Sequence, residues 1–124
     1  METSKALVAL AALAQDTRLG IYRLLVEHAP EGLPAGQIAE HLDISPATLS
    51  FHLKELSRAE LLLSRQDGRF VWYRADLGEM NDLVDYLTAN CCRASAACDP
   101  KCAPKAPKRP AAQLTPALKR RKSA

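Results

Sequence analysis

No cysteine precedes position 91 in these 124 residues, no histidine follows position 52, and no apolar run approaches the roughly 18 residues that cross a membrane. The best candidate for such a run, Ala6 to Ala14, is short and closes on Gln15-Asp16. The start Met1-Glu2-Thr3-Ser4-Lys5 leads into an alanine-rich stretch with no processing site, which is not the layout of a secretory signal. These absences argue against a spanning helix and set the expectation of a cytoplasmic protein with reduced thiols and no membrane partner. Also missing are a glycine-rich phosphate loop, a nucleophile beside a base, and paired acids in a credible cleft, so an enzyme is not expected. No internal repeat is visible.

What is present fits one modest soluble domain, with 48% hydrophobic and 25% charged residues. The formal charge of +3 is unevenly spread. Residues 99 to 124 hold eight Lys or Arg against Asp99 alone, a net +7, which leaves −4 for the first 98 residues. The basic isoelectric point therefore says little about the folded body, and nucleic-acid binding has to be argued from a local pattern. From Ala103 onward, Pro104, Pro107, Pro110 and Pro116 alternate with Lys and Ala, so residues 103–124 are expected to be a disordered basic tail. Its Lys119-Arg120-Arg121-Lys122 end is read either as solvated or as weakly attracted to DNA phosphates.

Ahead of the tail, the pattern predicts helices, one hairpin and a last helix. Thr3 or Ser4 is placed to cap a helix carrying Leu7, Leu10, Ala11 and Leu13, and Asp16 restarts the chain into a second helix with Ile21, Leu24 and Leu25 on one face. Ala29-Pro30-Glu31-Gly32 ends it. Pro34 opens a short helix with Ile38, Ala39 and Leu42, and Asp43-Ile44 leaves room only for a tight turn. Ser45 then reads as an N-cap with Pro46 at the first helical position and Leu49, Leu53 and Leu56 along the buried stripe. Two β-prone runs, Leu61 to Arg65 and Phe70 to Arg74, are joined through Gln66-Asp67-Gly68-Arg69, with Asp-Gly supplying the positive-φ turn. Met80, Leu83, Val84 and Leu87 share one face of a final helix that runs to Asn90.

Short helix, tight turn, second helix and hairpin describe a winged helix-turn-helix, mainly α with a β-hairpin wing, of about five helices and two strands. The partner such a fold takes is double-stranded DNA. From Ser45 onward, the face opposite Leu49, Leu53 and Leu56 offers Ala47, Phe51, Lys54 and Arg58, flanked by Thr48 and Ser50. Thr48 and Ser50 suit bases or phosphates, Ala47 and Phe51 suit thymine methyls, and Lys54 and Arg58 suit phosphates. Arg65 and Arg69 flank the wing tip, within reach of phosphate or the minor groove. An exposed Phe51 beside Lys54 is a cost unless a partner covers it. His52 reads as structural or as a phosphate contact. His28 at a helix end and His41 before the turn do not read as metal ligands. Trp72 and Tyr73 read as packing the hairpin onto the helices.

All the soft-ligand chemistry lies between positions 91 and 102, as Cys91-Cys92, Cys98 and Cys102. Four thiols with no histidine nearby leave a metal site or a redox pair open.

Three stretches, Asp16-Thr17-Arg18-Leu19-Gly20-Ile21, Ser50-Phe51-His52-Leu53-Lys54-Glu55-Leu56 and Gly68-Arg69-Phe70-Val71-Trp72-Tyr73-Arg74, resemble the signature stretches of the ArsR/SmtB family of metal-responsive repressors. The resemblance covers about residues 5 to 90. It implies a homodimer paired through first and last helices, here Leu7, Leu10 and Leu13 with Met80, Leu83, Val84 and Leu87, that holds operator DNA until an inducing ion loosens it. The chain lacks the family's Cys-x-Cys pair before the recognition helix, since that region reads Leu33-Pro34-Ala35-Gly36-Gln37-Ile38-Ala39, and it lacks the histidines of the last-helix zinc site. It resembles instead the subgroup with a Cys-Cys pair after the last helix and a third Cys six residues on, which Cys91-Cys92-x5-Cys98 matches.

That likeness implies an inducer of As(III) or Sb(III) held by Cys91, Cys92 and Cys98, with no cofactor in the repressing state. Ligand softness and number agree, because three thiolates satisfy a three-coordinate pyramidal ion, and the five residues 93–97, at roughly 3.5 Å each when extended, let Cys98 fold back onto the pair. Cys102 is a possible fourth thiol, which keeps a four-cysteine Zn(II), Cd(II) or Pb(II) site open. A thiol redox switch and a structural metal clip stay open as well. The expected organisation is thus 1–92 for DNA binding and dimerisation, 91–102 for the metalloid, and 103–124 for the tail.

Overall fold

A computed structural model describes residues 1–94. Residues Met1–Val84 form one compact unit; the described part beyond it, 85–94, carries the end of the last helix and the turns of Cys91 and Cys92. The expectations for Cys98, Cys102 and the 103–124 tail lie outside the described residues.

The first helix, α1 (Thr3–Leu13), buries Ala6, Ala9 and Ala12 and leaves Leu7, Val8 and Leu10 outside. Alanines repeating every third residue make a flat stripe that lets α1 lie close on α2 and α4. Its cap is Glu2, which makes no side-chain cap bond, in place of the expected Thr3 or Ser4. Helix α2 (Asp16–Glu27) begins with the Gln15 side chain accepting from the Arg18 amide at 2.8 Å and buries Ile21, Tyr22 and Leu25. Burial, with Asp76 adding to it, pushes the Tyr22 phenol up to about 12.

Helix α3 (Ala35–Leu42) turns its one buried residue, Ile38, to the core and stops at Asp43, which takes the left-handed conformation at φ 54°. Three residues later α4 (Pro46–Arg58) starts as anticipated. The Ser45 hydroxyl accepts from the Thr48 amide at 3.2 Å with Pro46 at the first position, so two otherwise orphaned donors are dealt with by one residue's side chain and another's missing N–H. Leu49, His52, Leu53 and Leu56 form its buried stripe, at the i, i+3, i+4, i+7 spacing of one helical face.

The sheet has three strands, not two. Strands β2 (Leu62–Asp67) and β3 (Phe70–Ala75) make the hairpin, and β1 (Leu33–Pro34) adds antiparallel to the other edge of β3, in the order β1-β3-β2. Leu33 faces Tyr73 and Pro34 faces Trp72. Two residues ending in proline carry no alternation, so periodicity could not reveal β1. The hairpin turn lies one residue further along the chain than an Asp-Gly turn would place it. Asp67 pairs with Phe70 inside the ladder, and the two turn residues are Gly68 and Arg69, of which only Gly68 has positive φ, at 65°. That is the II′ arrangement, with glycine at the first central position.

Helix α5 (Leu77–Thr88) is capped by Asp76, whose carboxylate accepts from the Glu79 amide at 3.2 Å, and ends two residues before the expected Asn90. The core is centred on Ile21, Leu25, Ile38, Leu56 and Leu61, all fully buried, and so draws on α2, α3, α4 and the residue entering the wing. Lys5 ties α1 to two carboxylates, Glu79 at 2.9 Å and Glu60 at 3.2 Å; Glu79 foremost, then Glu60, hold its ammonium pKa above the ordinary value.

Candidate nucleic-acid interface and thiol pair

The buried stripe of α4 fixes what its other side can present. With Leu49, Leu53 and Leu56 inward, Ala47, Phe51, Lys54 and Arg58 lie at i, i+4, i+7 and i+11 and are all exposed, with Thr48 and Ser50 exposed beside them. Phe51 is 57% exposed, a large apolar group mostly uncovered in the single chain, whose ring meets that of neighbouring His52 edge to face. Arg58 donates to the Glu55 carboxylate at 2.9 Å, a surface pair one helical turn apart. Ser45 is taken up as the cap, its hydroxyl also donating to the Thr48 hydroxyl at 3.0 Å. The stripe combines two short hydroxylic side chains, a methyl, a phenyl ring and two cations on a convex rod, which is the chemistry that reads base edges and phosphates in a major groove.

His52 is placed otherwise. It is only 9% exposed and faces inward, where the Arg18 guanidinium approaches its Nδ1 at 3.4 Å. A guanidinium has no acceptor, so Nδ1 accepts and the neutral ring carries its proton on Nε2. The Nε of Arg18 donates to the Ala12 carbonyl at 2.6 Å. One arginine from α2 therefore bridges the end of α1 to the middle of α4. Of the two roles the sequence allowed His52, its burial and its contact with Arg18 favour the structural one.

In the wing, Arg69 occupies the exposed tip. Arg65 is less free than its sequence position implied. It stands directly opposite Trp72 across the ladder, its guanidinium 4.7 Å from the ring centre, and it donates to the Glu31 carbonyl at 3.2 Å. Trp72 thus serves as a shelf for an arginine as well as part of the sheet. Phe70, 61% exposed beside the tip, is not among the residues expected from sequence; its place one residue after the turn, on the face of β3 shared with Trp72, was the signal that could have found it.

After α5 the chain makes two short turns, closed by the Cys91 amide donating to the Thr88 carbonyl at 3.1 Å and the Arg93 amide to the Asn90 carbonyl at 3.0 Å. Asn90 and Cys92 are both left-handed, at φ 62° and 66°. Left-handed asparagine is common; left-handed cysteine costs about 1–2 kcal/mol. The result sets the Cys91 and Cys92 sulfurs 3.6 Å apart. At that separation they are not bonded to each other, and Cys92 is itself disulfide-bonded. Two sulfurs each about 2.3 Å from one ion lie about 3.3–3.8 Å apart for bond angles of about 90–110°, so the spacing suits chelation. Among the described residues no group of three or more metal-ligating side chains is assembled.

Comparison with known proteins places the chain. A helix-turn-helix domain model matches residues 13–65. The transcriptional activator HlyU of Vibrio cholerae is 30% identical over 93 residues, covering 75% of this chain and 83% of that protein. An arsenical resistance operon repressor of Staphylococcus aureus is 35% identical over 78 residues, covering 63% and 72%. An ArsR-like transcriptional regulator from Rhodococcus sp. RHA1 superposes with a TM-score of 0.59 at 30% identity, over 68% of this chain and 76% of that one. The chain belongs to the ArsR family.

As an ArsR-family regulator it has the family's winged helix-turn-helix, and α3, the Asp43 turn and α4 are that motif. Of the expected pairing residues, Leu7 is 61% exposed, Leu10, Val84 and Leu87 are exposed, and Leu13 and Met80 are half-buried. Leu83, at 3%, is a core residue of its own chain. Of the four α5 residues expected to pair, Leu83 is thus the one its own chain already covers, while Val84 and Leu87 are exposed and Met80 is half-buried. No helix among the described residues is long and apolar enough to cross a membrane.

Proposed function

We propose that this ArsR-family protein is a repressor that binds operator DNA as a homodimer and is released when Cys91, Cys92 and Cys98 bind As(III) or Sb(III). The observation that carries the reading is the 3.6 Å separation of the Cys91 and Cys92 sulfurs, the spacing two thiolates take on one soft ion. The arsenical resistance operon repressor among the relatives supports the inducer, and since HlyU is an activator, repression is part of the proposal. The chemistry balances as a condensation: arsenous acid exchanges its three hydroxyls for three cysteine sulfurs, and three waters leave. The Cys92 disulfide must first be reduced by exchange with an external dithiol such as dithiothreitol, which leaves as its own disulfide and supplies the two electrons and two protons.

In this reading α4 enters the major groove, with Ala47, Thr48, Ser50, Phe51 and Lys54 toward the bases and backbone, while Arg58, Arg65 and Arg69 serve phosphates. Metalloid capture reorganises the turns after α5 and moves the two reading heads out of step. A coupling of about 3 kcal/mol weakens DNA binding about 150-fold.

The test is fluorescence anisotropy of labelled operator DNA, selected in vitro with the reduced protein, under arsenite titration. Cys91→Ser, Cys92→Ser and Cys98→Ser are each expected to bind DNA normally and to lose release; Cys102→Ser is expected to release. Normal arsenite release by all three would overturn the proposal. At the DNA end, Phe51→Ala is expected to weaken binding by about 1–3 kcal/mol with little change in melting temperature, because most of the ring lies outside the core. Unaltered affinity in that variant would remove Phe51 from the interface.

One observation favours a second reading. With Cys92 already in a disulfide, oxidation in place of metalloid can be the releasing event. Release by peroxide without arsenite, reversed by dithiothreitol, would select it.

A further inference from the structure

The rings of His28 and His41 meet edge to face with centroids 5.8 Å apart. They lie thirteen positions apart in the chain, at the ends of different helices, so nothing in the local pattern pairs them. His28 is the residue that closes α2 and His41 lies in the last turn of α3. Their contact therefore brings two helix C-termini, each with a negative dipole end, to one place on the surface. Both side chains are exposed.

The contact of His28 with its partner selects a tautomer. Its Nδ1 lies 3.0 Å from the Leu24 carbonyl oxygen, which can only accept, so in the neutral ring Nδ1 carries the hydrogen and Nε2 has the lone pair. A backbone carbonyl fixing one ring nitrogen while the other is left for coordination is the supporting arrangement found around metal-bound imidazoles. Two imidazole nitrogens about 2.0–2.1 Å from one tetrahedral ion would put the ring centres about 5.2 Å apart. The observed 5.8 Å is a few tenths of an ångström wider, a distance that two exposed side chains can close by small rotations.

We infer that His28 and His41 form a surface site for a divalent transition cation of the imidazole-preferring class, Cu(II), Ni(II) or Zn(II), with water filling its other positions. Among the described residues no third metal-ligating side chain joins them, which makes this a two-point site and distinct in chemistry from the thiols. A cation held there links the end of α2 to α3, the first helix of the DNA-reading motif. The site does not depend on the arsenic reading.

The experiment uses the untagged full chain with Cys91, Cys92, Cys98 and Cys102 all changed to Ser, so that sulfur neither captures nor reduces the probe. Cu(II) alone is titrated, as the strongest binder of the first-row divalent series. The expected result is one strongly bound Cu(II) per chain by calorimetry and a nitrogen-coupled electron paramagnetic resonance signal. His28→Gln and His41→Gln should each weaken binding at least about tenfold, since even supporting residues of metal sites contribute about 10–100-fold. Binding unchanged in either single variant would overturn the inference, and so would the absence of nitrogen coupling in the parent. Circular dichroism of each variant, expected to match the parent, separates a lost ligand from a lost fold.

Discussion

Gly32→Ala is expected to destabilise the fold by about 3 kcal/mol or more, a loss seen as a melting temperature lower by about 10 °C or more. Two costs add at this position. The backbone sits at φ 83°, where a side chain is strained, and an added Cβ would overlap the Tyr73 carbonyl oxygen while lying 2.7 Å from the Tyr73 carbonyl carbon and 2.8 Å from the Arg74 Cβ. None of those atoms is the loose end of a flexible side chain, so relief requires β1 to leave β3. Against a total stability of about 5–15 kcal/mol, that loss is a large fraction. DNA binding should weaken with it, because the same sheet edge holds the Glu31 carbonyl to which Arg65 donates. Gly20→Ala is the control. It lies inside α2 with nothing within 4 Å of an added Cβ, and alanine there should stabilise by up to about 1 kcal/mol. Equal melting temperatures for the two variants would show that the close approach at Gly32 is not a constraint.

Leu7→Glu combined with Leu10→Glu is expected to convert a dimer to a monomer and to weaken operator binding by about 100-fold or more. Both leucines are exposed while Ala6, Ala9 and Ala12 fill the inner face of the same helix, so the substitutions leave the chain's own packing alone. Glutamate is also a good helix former, which keeps α1 intact. What is lost is apolar surface with no cover in the single chain, and with it the linkage of two reading heads. Linked heads gain about 10²–10⁴ in avidity over separate ones. Sedimentation of the variant reads the oligomeric state, and anisotropy on a two-half-site operator reads the affinity. A variant that still sediments as a dimer would exclude this face from pairing.

The DNA-reading half of the molecule was largely legible in the sequence because its signals are local. Ser45 followed by Pro46 announces a helix start through the capping bond itself, and Leu49, Leu53 and Leu56 announce which side faces inward. The hairpin was legible through Gly68, the one residue at the turn able to take positive φ without strain, although the turn centres on Gly68-Arg69, one residue further along than Asp-Gly suggests. The thiol pair was legible as chemistry, from four cysteines confined to 12 residues. Its 3.6 Å geometry was not, since that follows from left-handed turns at Asn90 and Cys92 that no residue type there demands.

By itself the sequence determined the order of elements, the periodic stripes of the helices and the residue types that the recognition helix and the cysteine cluster carry. These follow from periodicity, caps and turn residues, each acting within a few positions. Only the tertiary structure decided which of two apolar faces is covered. Alanines rather than leucines lie inside α1, and Leu83 is in the core while Val84 is out, because periodicity fixes a face without saying what packs on it. The third strand, the Arg18 bridge from Ala12 to His52, the Arg65 shelf on Trp72 and the His28–His41 contact are likewise tertiary. Each joins residues brought together by loop closure, and the local pattern of the chain carries no record of such a meeting.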